Sequence, residues 1–208
     1  MKVTDKVYAL DATSQAHVYA VSTDDGVVLI DTSMPGKAPA IIAELRAHGL
    51  DHVVAILLTH HDVDHAGSAA KLQEAFGCPG YISATDLPYV KGEKSREGIK
   101  KVIGALMRVQ VPADLRALPD GSIMGIQVLP TPGHTPGHTC YKFGGVLFAG
   151  DLLATQGGRL VASRPLMTWN MPQVLSSLSA VKSADIAWVC PGHGSPLQIS
   201  SATAWPGE

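Results

Sequence analysis

The sequence predicts a layered α/β fold in which helices cover a sandwich built from two sets of strands. Three observations predict it: short N-terminal strands joined by a turn signal, apolar runs of strand length too continuous for a half-exposed sheet, and amphipathic segments interleaved with both. In chain order, residues 7–10, 17–22 and 27–30 read as strands, the last following the turn signal Asp24-Asp25-Gly26, and an antiparallel sheet is their simplest pairing. Over residues 37–48, Ile41, Ile42 and Leu45 fall at helical spacing and Gly49 supplies a stop. Residues 53–58 form a continuous apolar run, the pattern of a strand buried on both faces, and this strand delivers Thr59 and His60 to its C-terminal end. Residues 66–76 read as a helix closed by Gly77, and 80–83 as a short strand. The stretch 85–118 breaks the rhythm. Its charges (Lys91, Glu93, Lys94, Arg96, Glu97, Lys100, Lys101) and its apolar stripe (Ile99, Val102, Ile103, Leu106) predict an inserted helical segment. Strands return over 125–129 and over 139–149 around the Gly144-Gly145 turn, then a helix over 173–183 and a final buried strand over 186–189.

With 208 residues and 46% hydrophobic content the chain suffices for one substantial core, so a single domain over 1–208 is expected. The formal net charge of −2 supplies no basic field of the kind that recruits nucleic acid or anionic membrane. The expected partner is a small-molecule substrate, and a homodimer is the default assembly for a soluble enzyme of this size. No apolar run precedes a small-residue cleavage site, and none reaches the roughly 18 to 20 residues that span a bilayer, so a cytoplasmic protein is expected. Cys78, Cys140 and Cys190 are widely spaced and form no CxxC, which reads as buried small hydrophobes rather than a disulfide framework or a zinc ribbon.

The chemistry concentrates at strand ends. Thr59-His60-His61-Asp62-Val63-Asp64-His65 places two carboxylates and three imidazoles directly after a buried strand, and these are the usual donors for hydrolytic zinc and related metals. A second loop, Thr131-Pro132-Gly133-His134-Thr135-Pro136-Gly137-His138, also follows a strand, with prolines and glycines that fix its shape. Phe148-Ala149-Gly150-Asp151 and Pro191-Gly192-His193-Gly194 repeat the grammar of buried strand, tight turn and ligand-type side chain. Four strand ends that each present His or Asp point to one shared rim.

Here the chain resembles the metallo-β-lactamase superfamily, whose signature is an HxHxDH loop followed by single His, Asp and His ligands in that order. The resemblance spans about residues 15–197. It implies a four-layered αββα sandwich with two mixed β-sheets between helices. It also implies a two-metal site: His60, the residue at 62 and His134 on one ion, Asp64, His65 and His193 on the other, with Asp151 bridging. The departure is at position 62, where the family usually has His and this chain has Asp62. A hard oxygen donor with a negative charge moves preference from zinc toward iron or manganese, and it makes bound water less acidic if the metal stays the same. Two divalent ions are thus expected, zinc first, with iron and manganese as alternatives. By spacing His61 points away from the site to a surface role; the resemblance selects His134 and so implies that His138 supports the ligands without joining them, and that Asp31 hydrogen-bonds beside the site. His17, His48 and His52 read as ordinary histidines.

The implied mechanism is attack by hydroxide, since two close divalent ions lower the pKa of a shared water and polarise the carbonyl under attack. Asp64 is the residue expected to orient the hydroxide and shuttle its proton. The expected activity is hydrolysis of a small ester, lactone or thioester. Alternatives are β-lactamase activity on the same site, a mononuclear iron redox enzyme of the persulfide dioxygenase kind, and a non-catalytic metal-binding protein. The segment 85–118 with Tyr89, Met107 and Trp169 offers an acyl pocket or plain packing, and Arg159 and Arg164 offer contacts to an acidic group or solvated surface.

Overall fold

The structure, a computed structural model, describes residues 1–13, 16–95, 100 and 109–207. Its first sheet takes seven strands in chain order: β1 (Lys2–Thr4), β2 (Val7–Ala9), β3 (Tyr19–Thr23), β4 (Gly26–Ile30), β5 (Val53–Leu57), β6 (Gly80–Ile82) and β7 (Leu115–Ala117). Strands β1 to β4 pair antiparallel, and β4 to β7 continue the sheet in parallel. The second half of the chain contributes β8 (Ser122–Ile123), β9 (Ile126–Pro130), β10 (Thr139–Phe143), β11 (Val146–Gly150), β12 (Leu153–Gln156), β13 (Arg159–Ala162), β14 (Trp188–Pro191) and β15 (Leu197–Gln198). Six of these form the second sheet in the order β15-β14-β11-β10-β9-β8, with β11 and β14 parallel, while β12 and β13 pair as a separate hairpin. Both sheets are mixed, as the family resemblance implied.

Helices α1 (Ala38–Ala47), α2 (Val63–Ala66), α3 (Ala69–Phe76), α4 (Leu87–Val90) and α5 (Met171–Lys182) make the connections. Helix α1 lies in the crossover between the parallel strands β4 and β5, and α5 in that between β11 and β14, so the two halves share one plan. Helix α3 ends on Gly77 at φ +65°, a left-handed conformation that glycine adopts without strain. At the start of α5 the Asn170 side chain accepts a hydrogen bond of 3.1 Å from the Gln173 amide.

Burial follows the alternation of each central strand. Val27 and Leu29 of β4 face one cluster with Ile41, Leu45 and Leu72 of the helices, while Val28 and Ile30 face another with Tyr141, Phe148 and Cys190 of the second sheet. Leu147 and Ala149 of β11 turn to a third cluster with Val174, Leu178 and Val181 of α5. Three apolar layers separate helix, sheet, sheet and helix, which is the four-layered αββα sandwich.

Some elements differ from expectation. The helix expected over 66–76 starts later, at Ala69 as α3, after the separate short helix α2, and β1, β8, β15 and the β12–β13 hairpin were not expected. The stretch 85–118 holds the short helix α4 and ends in a strand, β7, that pairs with β6, so it is not wholly a helical insertion. The expected apolar stripe Ile99, Val102, Ile103 and Leu106 lies outside the described residues, as do Arg96, Glu97, Lys101 and Met107. Among the described residues no helix is long and apolar enough to cross a membrane.

Candidate metal centre

The chain leaves β5 through Leu58 and Thr59 and enters α2, whose short turn carries Asp64 and His65. Asp31, at the end of the neighbouring strand β4, anchors this exit. Its carboxylate accepts from the Thr59 amide at 2.7 Å, the Thr59 hydroxyl at 2.8 Å and His65 Nδ1 at 2.8 Å. Asp31 sits at φ +60°, a conformation Asp tolerates better than most side chains.

These contacts assign the imidazole tautomers. Because the Thr59 hydroxyl donates to Asp31, its oxygen accepts from His60 Nδ1 at 2.9 Å. His60 and His65 therefore both donate through Nδ1 and turn Nε2 inward. Ser163 treats His134 alike, since its hydroxyl donates to the Asp151 carbonyl and accepts from His134 Nδ1 at 3.2 Å. His138 is different: its Nε2 accepts from the Asp151 amide at 3.1 Å, so Nδ1 donates to Thr131 at 2.9 Å. Both ring nitrogens are used, and burial pushes the ring down to about 3, so His138 stays neutral and buttresses Asp151 rather than offering a donor.

The inward atoms converge. Three triplets, His60–Asp62–His134, Asp64–His65–His193 and His60–His65–Asp151, each bring their donor atoms within 4.8 Å of one another. All seven positions proposed as ligands thus meet at one rim, Asp62 included, with Asp62 Oδ2 3.2 Å from His134 Nε2. His60 Nε2, His65 Nε2 and Asp151 Oδ1 are buried without a hydrogen bond, although His65 Nε2 and Asp151 Oδ1 are only 3.1 Å apart. Buried polar atoms left in this state are rare. Atoms that lie close but fail hydrogen-bond geometry are arranged to aim at a common point, and the donor set fits divalent metal.

The electrostatics agree. Burial opposes ionisation of Asp62 and Asp151, yet the former is held well below the carboxylate range by His134 and His60, and the latter by His65 and His134. Asp64 is also lowered, burial being outweighed by the charge of His65 and the hydrogen bond to His193. Burial likewise opposes a charged His65, but Asp151, Asp31 and Asp64 raise that ring well above the usual range. The nearby carboxylates of Asp151, at 3.4 Å, and Asp64, at 3.2 Å, raise His193 to about 10. His60, desolvated and beside His65, goes well below. Three ionised carboxylates gathered at a rim of imidazoles make a trap for cations, and a metal ion entering it displaces protons.

Two supporting residues differ from or add to the expectation. His61 does not point to the surface: it is buried, stacked on Tyr89 at 4.5 Å between ring centroids, with Nδ1 2.8 Å from Asp86 Oδ2. Asp86, fully buried, also accepts from the Thr135 hydroxyl and the Gly137 amide, both at 2.7 Å, and so ties the His60 loop to the His134 loop. Its place just before α4 reads in sequence as an ordinary helix cap, yet its side chain makes no cap bond. No local signal marks it.

A cavity of about 580 Å³ opens over the rim, lined at its floor by Asp62, Asp64, His134, Asp151 and His193. Its wall is the β12–β13 hairpin with the turn that follows, including Val161, Ser163, Arg164 and Met167. Of the residues expected to bound a pocket, Arg164 lines it, whereas Tyr89 packs on His61 and neither Trp169 nor Arg159 is among the lining residues.

A sequence profile described as the Metallo-beta-lactamase superfamily matches residues 12–193. The chain is 32% identical over 168 residues to the probable metallo-hydrolase YflN of Bacillus subtilis, covering 72% of this chain and 61% of that protein. It is 36% identical over 148 residues to a hydroxyacylglutathione hydrolase of Shewanella baltica, covering 70% of this chain and 51% of the relative. The chain therefore spans only about half to three-fifths of the length of these curated relatives. Among solved structures, TTHA1623 in a di-iron-bound form superposes with a TM-score of 0.72 at 31% identity, covering 89% of this chain and 90% of that one.

Proposed function

The chain belongs to the metallo-beta-lactamase superfamily, and from that membership we propose that it is a dinuclear metal-dependent hydrolase of small esters, lactones or thioesters. The observation that carries this reading is the convergence of the donor triplets at the floor of a cavity, with buried His60 Nε2, His65 Nε2 and Asp151 Oδ1 lacking hydrogen bonds. In the proposed site His60, Asp62 and His134 would hold one ion and Asp64, His65 and His193 the other, with Asp151 placed between the two sets. When bound, such ions act as Lewis acids on a carbonyl and make a water acidic near neutral pH. The di-iron form of TTHA1623 supports two ions and, with the hard Asp62 oxygen, keeps iron beside zinc as the metal.

The chain's own residues then do the rest. Asp64, ionised and lining the cavity, takes the proton that the attacking water gives up, and passes it to the leaving oxygen or sulfur. Ser163 and Thr59 fix the tautomers of His134 and His60, so the floor needs no rearrangement as charge develops. Val161, Ala162, Pro165 and Met167 make an apolar wall against which an acyl group displaces water, with Arg164 available to an anionic end. The hydroxyacylglutathione hydrolase likeness favours thioesters within the proposed class.

The test is elemental analysis of the purified protein beside hydrolysis of a panel of lactones, thioesters and simple esters. Two metal ions per chain with turnover of one class is the expected result. A single iron and no hydrolysis overturns it in favour of redox chemistry.

A further inference from the structure

One cation already stands in the proposed centre. Lys100 Nζ lies 2.5 Å from Asp62 Oδ2 and 3.0 Å from His134 Nε2, touching two of the three donors of the His60–Asp62–His134 triplet. Its side chain is only 13% exposed, and that of Asp62 only 11%, so the contact is sheltered from screening. The other triplet is not treated this way. Among the described residues, the ion-pair partners of Asp64 and Asp151 are histidines alone.

The asymmetry follows from the residue at 62. A neutral imidazole there would need no countercharge, whereas a buried carboxylate without one is costly. Lys100 supplies the charge, and the Asp62–Lys100 pair has the same net charge as a neutral histidine. An ion held by Asp62 and His134 needs the space the ammonium fills, and the two positive charges repel. The lysine's flexible four-carbon stem allows withdrawal, but only by giving up the ion pair.

On the dinuclear reading above, we propose that Lys100 is a tethered cation guarding the His60–Asp62–His134 triplet, so that the two halves of the centre load in order. The Asp64–His65–His193 triplet takes its ion first. The guarded triplet takes the second more weakly, as Lys100 is displaced.

The experiment is a Co²⁺ titration of chelator-stripped protein, followed by visible absorption and by calorimetry, on the wild-type chain, Lys100→Met and the exposed control Lys71→Met. Two unequal binding constants are expected for wild type and for Lys71→Met. In Lys100→Met the weaker constant should strengthen about tenfold or more, since the carboxylate has lost its resident counterion, while the tighter constant stays put. Where circular dichroism shows that Lys100→Met fails to fold, Lys100→Gln takes its place. A His193→Ala background reads the guarded triplet alone and should show the same gain when Lys100 is replaced. A weaker constant that stays within about twofold of wild type, or that falls, overturns the proposal. Two ions bound equally well by wild type and Lys100→Met overturn the guarding role and leave the dinuclear reading standing; no ion bound by any form overturns both.

Discussion

Asp31 Oδ2 stands 2.8 Å from His65 Nδ1, so a residue at the end of one strand decides which nitrogen of a histidine on the next loop faces the proposed metal. Asn accepts the left-handed backbone of position 31. Asp31→Asn should therefore fold, yet lose the carboxylate that orients and enriches the ring. Affinity of the Asp64–His65–His193 triplet should drop about 10- to 100-fold in competition with a chromophoric chelator. Unchanged affinity would show that the ring is held by packing alone.

Asp151 is within 3.4 Å of both His134 Nε2 and His193 Nε2, one from each half of the proposed site. Asp151→Ala should abolish turnover and the binding of at least one ion. Retention of two ions and full activity would end its bridging role. Asp62→His should shift metal preference toward zinc without unfolding the chain, as read by metal content after growth with mixed metals; an unchanged profile would mean that Asp62 is not a ligand.

Gly192 packs against the centre. A Cβ built there would lie 2.5 Å from His65 Cε1 and 2.7 Å from Asp151 Oδ1, neither of which can retreat without disturbing the donor set. Gly192→Ala should weaken metal binding and turnover together while leaving the circular dichroism spectrum unchanged. Wild-type affinity in this variant would mean that the rim tolerates displacement.

Asp86 gives a pH-dependent prediction. Burial opposes its ionisation, but hydrogen bonds and charge from His61, with Thr135 and Gly137, hold its pKa below the ordinary 3.8. A carboxylate depressed on folding stabilises the fold above its unfolded value and loses that contribution as pH falls through the folded one. Asp86→Asn should cost about 1.5–3 kcal/mol at pH 7, the range of hydrogen bonds to a charged group. By urea unfolding of chelated protein, the gap to wild type should narrow below pH 4; a constant gap would show that the charge is not what matters.

The thiols are expected to be inert. Cys78, Cys140 and Cys190 are free and buried, and burial pushes the first to about 11, the second to about 12 and the third higher still. Ellman's reagent at pH 8 should titrate none of them in the native protein and all three after denaturation. Rapid native reaction at any one would contradict the packing described.

The rim was legible in sequence because its grammar is local: apolar strands β5, β11 and β14 each run into a turn and then a donor. In the duplicated TPGH phrase the resemblance selected His134, and the spatial reason is that His138 spends both nitrogens on Thr131 and Asp151. Strand β7 was hidden because its three residues, Leu115–Ala117, close a charged stretch whose stripe has helical spacing. The β12–β13 hairpin alternates weakly and pairs with neither main sheet, so nothing in its composition announced a cavity wall. His61 and Asp86 escaped because their partners are 25 residues apart in the chain.

The donors come from both sheets: the loop after β5 supplies His60, Asp62, Asp64 and His65, and the loops after β9, β11 and β14 supply His134, Asp151 and His193. Neither half of the molecule carries a finished chelate. An ion held between them is a cross-link, joining segments that the chain itself leaves far apart, in a protein whose cysteines make no such tie among the described residues. A chelator should act on this fold as a reducing agent acts on a disulfide-bonded one.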